Sequence, residues 1–244
     1  MKKLGIIGAM EVENKIVLDA LRKEGGLKQT EAGGTIFYEG KISGKEIVLA
    51  RSGVGKVNAA LCAQRMVLQF GADFIINTGI AGALGQGLGV FDVVLSSDAV
   101  YHDMDARAWG YKIGQVPQMN VFSFEADKKM IAAIQKIFPT LPEAQGHKLA
   151  VGRVASGDKF VADKKLKTNI IDAFNPLCVE MEGAAIAHAA FLCKVPFVIL
   201  RTLSDMADDK EETTYTFNEN TAAQLSGAIL LAIIKKGISE NCNF

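Results

Sequence analysis

Val195-Pro196-Phe197-Val198-Ile199-Leu200-Arg201-Thr202-Leu203-Ser204-Asp205 is the stretch whose reading sets the fold class. After Pro196 the residues are apolar and mostly branched, without a polar break until Arg201. Such a run reads as a strand buried on both faces, as happens when helices cover both sides of a largely parallel sheet. The run then delivers Arg201, Ser204 and Asp205 in quick succession. Open α/β sheets build ligand sites just outside the carboxyl ends of their strands. A guanidinium, a hydroxyl and a carboxylate arriving there read as a site. On Asp205 alone the plainer reading is a capped turn, with Asp205 as the cap and Arg201 as its ion-pair partner.

Working outward, strand and helix patterns alternate along the chain. Residues 4–8 form a short β run, and a helix follows to about residue 23 with Glu11 and Glu13 in its first turn. Acids there suit the helix dipole, but a first βα loop also faces the site of an open sheet. Residues 35–42 and 45–51 make a hairpin across Ser43-Gly44. Ser52-Gly53-Val54-Gly55-Lys56 then leads into a helix over 57–70, without the spacing or the Ser/Thr of a phosphate loop, so ATP binding is not expected. The strand over 73–77 is followed by a glycine-dense run from Thr78 to Gly89, which reads either as a plain loop or as backbone that approaches a ligand.

The strand over 92–101 runs into His102-Asp103-Met104-Asp105. His147 and His188 lack a matching spacing, so capping groups are expected there and no metal. Trp109, Tyr111, Pro117, Met119 and Phe122 make the next loop rich in large apolar groups. It either covers the core or, if exposed, forms an interface or a lid. A helix over 125–138 and a strand over 147–154 lead to Ser156-Gly157-Asp158-Lys159-Phe160-Val161, which offers an aromatic face beside free backbone groups, the parts needed to hold a flat base. After a helix over 164–174 and a strand over 177–179, Glu180 and Glu182 interrupt an apolar junction into a helix over 184–193. Carboxylates there should be buried, and a buried carboxylate needs a partner or a substrate; Arg201 is the plain candidate partner. An acidic, Thr-rich connector over 208–216 and a terminal helix from about residue 218 close the chain. This order predicts one α/β domain spanning 1–244, three layers (α/β/α) deep around a central mixed sheet.

The 27 basic and 27 acidic residues balance, so no global field attracts nucleic acid or an anionic membrane. Cys62, Cys178, Cys193 and Cys242 lie far apart and read as free thiols of a reducing compartment. The first apolar stretch is too short for a secretion signal, and the apolar helix over 222–234 is interrupted and too short to span a bilayer. A soluble, cytoplasmic protein is expected.

Several short motifs occur in a characteristic order: Gly5-Ile-Ile-Gly-Ala-Met-Glu-Val-Glu13, Ser52-Gly-Val-Gly-Lys56, Asn77-Thr-Gly-Ile-Ala-Gly82, Tyr101-His-Asp103, Ser156-Gly-Asp-Lys-Phe160, Val179-Glu-Met-Glu182 and Arg201-Thr-Leu-Ser-Asp205. With them the chain resembles, over almost its whole length, the 5′-methylthioadenosine/S-adenosylhomocysteine nucleosidases of the nucleoside phosphorylase superfamily. The resemblance implies a nucleoside phosphorylase-like fold. It implies hydrolysis of the N-glycosidic bond of 5′-methylthioadenosine, S-adenosylhomocysteine and 5′-deoxyadenosine, without cofactor or metal, with a role in methionine salvage. Asp205 then matches the general acid at the purine, Glu13 the base that activates water, and Glu182 the residue holding the ribose hydroxyls. Met181 matches a wall of the sugar pocket, Phe160 stacks on adenine and the Val161 backbone reads its edge. Ile80, Ala81, Gly82 and Glu180 fall in the substrate pocket, Ser204 and Arg201 support the acid and the sugar side, and Phe217 closes over the 5′ group. Ala106, Trp109, Tyr111 and Pro117 match a segment lent across a homodimer interface.

Three departures stand out: Val12 where relatives often have an acid, Ile80 where Ser or Thr is common, and Trp109 in place of Phe. A phosphorylase, a nucleosidase for larger futalosine-type substrates and a nucleoside-binding protein on the same scaffold are the alternatives.

Overall fold

The computed structural model describes residues 1–207 and 212–237, the side chains of 212–217 excepted. In chain order it contains β1 (Lys3–Gly8), α1 (Glu11–Glu24), β2 (Lys28–Ala32), β3 (Thr35–Ile42), β4 (Lys45–Arg51), α2 (Lys56–Leu68), β5 (Phe74–Ala83) and β6 (Val93–Tyr101). There follow β7 (Phe124–Glu125), α3 (Lys128–Ile137), β8 (Leu149–Ser156), α4 (Lys164–Phe174), β9 (Cys178–Glu180), α5 (Gly183–Cys193), β10 (Phe197–Asp205) and α6 (Glu212–Lys235).

All ten strands join one mixed sheet. One half is a plain run, β2-β3-β4-β1-β5. The other half closes on itself: β5 pairs with β10 and with β9, β10 with β6, β6 with β8, and β8 with β9. The sheet is therefore not fully open. Closure follows from the length of β5, whose first residues pair with β1 and whose last, Gly82 and Ala83, have passed the end of β1 and take β9. The strand ends thus converge on a common mouth. Val198, Ile199 and Leu200 are fully buried, as the two-sided burial of this run predicts.

Helices cover both sides, α1 packing with α6 against the sheet and α2 with α5. Among the described residues no helix is long and apolar enough to cross a membrane, and Cys62, Cys178 and Cys193 are free.

Four local expectations are corrected. β2 is an unforeseen edge strand, because Lys-Gln-Thr-Glu-Ala has no apolar alternation and owes its shape to pairing with β3. Residues 78–83 are not loop but the second half of β5. The helix expected from residue 125 starts at Lys128, where Asp127 caps it by accepting the Met130 N–H at 2.7 Å. The last helix begins at Glu212 rather than near 218, so the Thr-rich connector is partly helical; residues 208–211 of that connector, and Cys242, lie outside the described residues.

Candidate active site

Arg201, from β10, is the buried centre of the site, with 1% of its surface exposed. One guanidinium nitrogen, Nη2, donates to Asn77 Oδ1 at 2.7 Å and to Glu180, and lies 3.5 Å from Glu182. The other, Nη1, donates to the Ile80 carbonyl at 3.3 Å and lies 3.7 Å from Glu13. The partner of Arg201 is therefore not Asp205 but a set of three carboxylates. Glu180 is the most fully engaged: it also accepts from the Ser156 hydroxyl and from the N–H groups of Glu182 (3.0 Å) and Gly183 (2.7 Å). The ion pair foreseen as an alternative at this junction is made, while Glu180 still contributes to the cavity wall.

Glu13 enters from the first turn of α1. Its carboxylate accepts N–H groups from Ala9 (2.7 Å), Met10 (2.9 Å) and Ile80 (3.0 Å). Burial raises its pKa, against the opposing pull of Arg201 and the three N–H groups. Glu182 stands at the start of α5 and accepts the Gly55 N–H at 2.9 Å. Burial, joined by the neighbouring Glu180 charge, pushes it up to about 7 against the pull of Arg201. One cation faces three buried acids, and an unbalanced buried charge is costly, so the cluster favours keeping a proton among its carboxyls. A protonated carboxyl can both donate to and accept from a sugar hydroxyl.

Gly79 explains why β5 carries glycine at this point. A methyl group there would sit 2.2 Å from Glu13 Oε1 and 2.3 Å from Arg201 Nη1, so both of these buried, hydrogen-bonded side chains would have to move. Asp205, half-buried at the end of β10, accepts from the Ser204 hydroxyl at 2.8 Å and from the Ala207 N–H at 2.7 Å. It therefore does cap a turn, and it also opens on the cavity.

A cavity of about 240 Å³ joins these groups. Glu13, Ile80, Ala81, Gly82, Phe160, Val161, Glu180, Met181, Glu182, Arg201, Ser204 and Asp205 all line it. Phe160 is 60% exposed at the rim while Val161 is buried. The side chain of Phe217 lies outside the described residues. Ala106, Trp109, Tyr111 and Pro117 do not line this cavity; Trp109 is 78% exposed on the surface. The loop that follows Trp109 divides its work, with Val116, Met119 and Val121 packed on the core.

Sequence reasoning missed Ala9, Met10, Val54, Lys159 and Val179 as lining residues and Asn77 as a partner of Arg201. Asn77 carried a signal, being a polar residue at the end of the apolar Phe74-Ile75-Ile76. Among the described residues no group of three or more His, Cys, Asp or Glu could hold a metal ion. Asp103 pairs with Lys56 and Asp105 with Arg107 instead.

The family model of the phosphorylase superfamily matches residues 3–235. The 5′-methylthioadenosine/S-adenosylhomocysteine nucleosidase of Staphylococcus haemolyticus is 38% identical over 233 residues, covering 95% of this chain and 99% of the relative. The chain belongs to this nucleosidase family. The crystal structure of the Neisseria meningitidis family member, in complex with methylthio-immucillin-A, superposes with a TM-score of 0.90 at 38% identity, covering 97% of this chain and all of that one. Futalosine hydrolase of Helicobacter pylori superposes with a TM-score of 0.88 at 30% identity, covering 96% and 98% of the two chains.

Proposed function

We propose that the chain hydrolyses the N-glycosidic bond of 5′-methylthioadenosine and S-adenosylhomocysteine, releasing adenine, with Asp205 as acid and Glu13 as base. The observation that carries this reading is the meeting of Glu13, Glu182 and Asp205 in one cavity, with Phe160 at its rim and Val161 buried in its wall. Adenine leaves well only if its ring gains a proton or a strong hydrogen bond as the bond breaks. A positioned carboxylic acid contributes roughly 10²–10⁴-fold to such a step. The ribose becomes oxocarbenium-like, a charge that buried carboxylates stabilise. Glu13, held by three N–H groups, is fixed in place to take a proton from water. Water is favoured over phosphate as the nucleophile, because three carboxylates already crowd around Arg201 and a further anion would meet repulsion. The Gly55 N–H, at the glycine turn before α2, is taken by Glu182.

The test is adenine release in phosphate-free buffer from methylthioadenosine, adenosylhomocysteine and futalosine. Turnover of the first two without phosphate is expected; a requirement for added phosphate would replace hydrolysis with phosphorolysis.

A homodimer accompanies this reading. Val57, Leu61 and Leu68 leave an exposed apolar stripe on α2, and Phe191 and Leu192 extend it on the adjoining α5. Exposed apolar side chains grouped on two adjoining helices fit an interface. Ala106, Trp109, Tyr111 and Pro117, which do not line the cavity of their own chain, would then complete the cavity of the other copy. Gel filtration should give a dimer at assay concentration, and Leu61→Glu should give a monomer with a raised KM. A monomeric unmutated protein with full activity would refute the shared site. The buried thiols of Cys62 and Cys178 fit a reducing, cytoplasmic setting, and the joining of all strands in one sheet supports residues 1–244 acting as one domain.

A further inference from the structure

We propose that Asp103, Lys56 and Asp158 form a clasp that holds the purine-facing turn in register with the sugar-facing turn, with Asp103 as the positioning residue. The inference rests on the nucleosidase reading and concerns residues that do not line the cavity. A single oxygen, Asp103 Oδ2, accepts both the Lys56 ammonium at 2.6 Å and the Asp158 N–H at 2.9 Å. Asp158 Oδ1 in turn accepts the Lys56 N–H at 2.8 Å. Three bonds thus close a triangle between the start of α2, the chain just after β6 and the turn after β8.

Two of the corners, Lys56 and Asp158, stand two residues from the cavity-lining Val54 and Phe160, and Asp103 ties them together. Gly55, immediately before Lys56, donates its N–H to Glu182 on the sugar side. Phe160 and Val161, just beyond Asp158, line the opposite, purine-facing side. The turns fit closely because two glycines leave room. A methyl on Gly157 would lie 2.4 Å from the His102 ring, and one on Gly55 would lie 3.2 Å from Asp158 Oδ1. Burial alone would raise the Asp103 carboxyl, but Lys56 and the Asp158 N–H outweigh it and hold Asp103 below its ordinary value. The Asp103 side chain is only 12% exposed, so its bonds are charge-assisted and little screened, unlike a surface ion pair.

Three single variants, Asp103→Asn, Lys56→Met and Asp158→Ala, and the Asp103→Asn/Lys56→Met double variant test this. The readouts are kcat and KM for methylthioadenosine, Kd for free adenine and the melting temperature. Loss of one charge-assisted bond of this kind should raise KM and the adenine Kd about tenfold, with a smaller fall in kcat. The double variant should be no worse than the worse single one, because both remove the same bond. Lys56→Arg, which keeps the charge, should restore most of the affinity. A purely structural role would lower the melting temperature and leave KM and Kd of the folded protein unmoved, and that result overturns the clasp. Asp158, half exposed, keeps the test decisive if Asp103→Asn fails to fold. Adenine affinity is read without turnover. An unmutated chain that binds adenine but cleaves nothing would therefore overturn the nucleosidase reading and leave the clasp to be judged on Kd.

Discussion

Asp205→Asn is expected to cut adenine release by roughly 10²–10⁴-fold, the contribution of a positioned general acid, while leaving the fold intact. Asparagine has the same shape, and the two bonds to this side chain survive the change. Its carbonyl oxygen can accept the Ala207 N–H, now 2.7 Å from Asp205 Oδ1. Its amide can donate to the Ser204 hydroxyl, which now donates to Asp205 Oδ2 at 2.8 Å and is free to rotate. What asparagine lacks is a proton it can give up. The melting temperature should therefore stay close to that of the unmutated protein, and binding of free adenine should survive better than turnover. Activity within tenfold of the unmutated protein would remove Asp205 from the acid role. Glu13→Gln is a less clean counterpart. An amide there would turn one NH₂ toward the N–H groups of Ala9, Met10 or Ile80, so lost turnover and lost stability would come together.

Arg201→Met is expected to have the largest effect on stability. Methionine fills much of the space but leaves Glu13, Glu180 and Glu182 buried without their cation, and strands the Asn77 and Ile80 acceptors. Removing one partner of a buried ion pair typically costs about 3–5 kcal/mol. For a chain of this size that lowers the melting temperature by about 6–20 °C. The pH dependence has a definite sign. Burial already holds Glu13 and Glu182 above their ordinary values, and without the guanidinium, which pulls both down, they rise further. The folded form then binds more protons than the unfolded one, and stability falls as pH rises. The deficit relative to the unmutated protein should therefore shrink as the pH is lowered from neutral toward the ordinary carboxylate range. Thermal unfolding of both proteins across that range checks this. A deficit independent of pH would mean that Arg201 acts by packing alone.

The strand that ends in Asp205 was legible because burial on both faces leaves little choice of residue: Phe197 to Leu200 had to be apolar. The acids were legible for the converse reason. Glu180 and Glu182 intrude on a junction that is otherwise apolar or small, and such intrusions persist in a core only where something compensates them, while Glu13 stands in a first βα turn, which faces the site of an open sheet. Gly79 and Gly82 were misread as loop. Glycine usually marks a turn, whereas here it marks crowding within a strand, beside Glu13 and Arg201 at one position and Asp205 at the other.

Residue type and order along this one chain thus determined the alternating α/β layers, the buried strand and the polar groups that had to find partners, because each depends on local periodicity and on the cost of burying charge. Pairing across long separations was left to the tertiary structure. Arg201 had carboxylates on either side of it in sequence terms, Glu180 and Glu182 some twenty residues away and Asp205 four. Nothing local distinguished the nearer acid from the farther ones. The closing of β5 and β10 with β6, β8 and β9 brings Asn77, Glu13 and the Glu180–Glu182 junction around the guanidinium and leaves Asp205 facing the cavity. That division follows from geometry: a side chain's need for a partner is written in its own chemistry, but which partner it meets depends on where distant strands end.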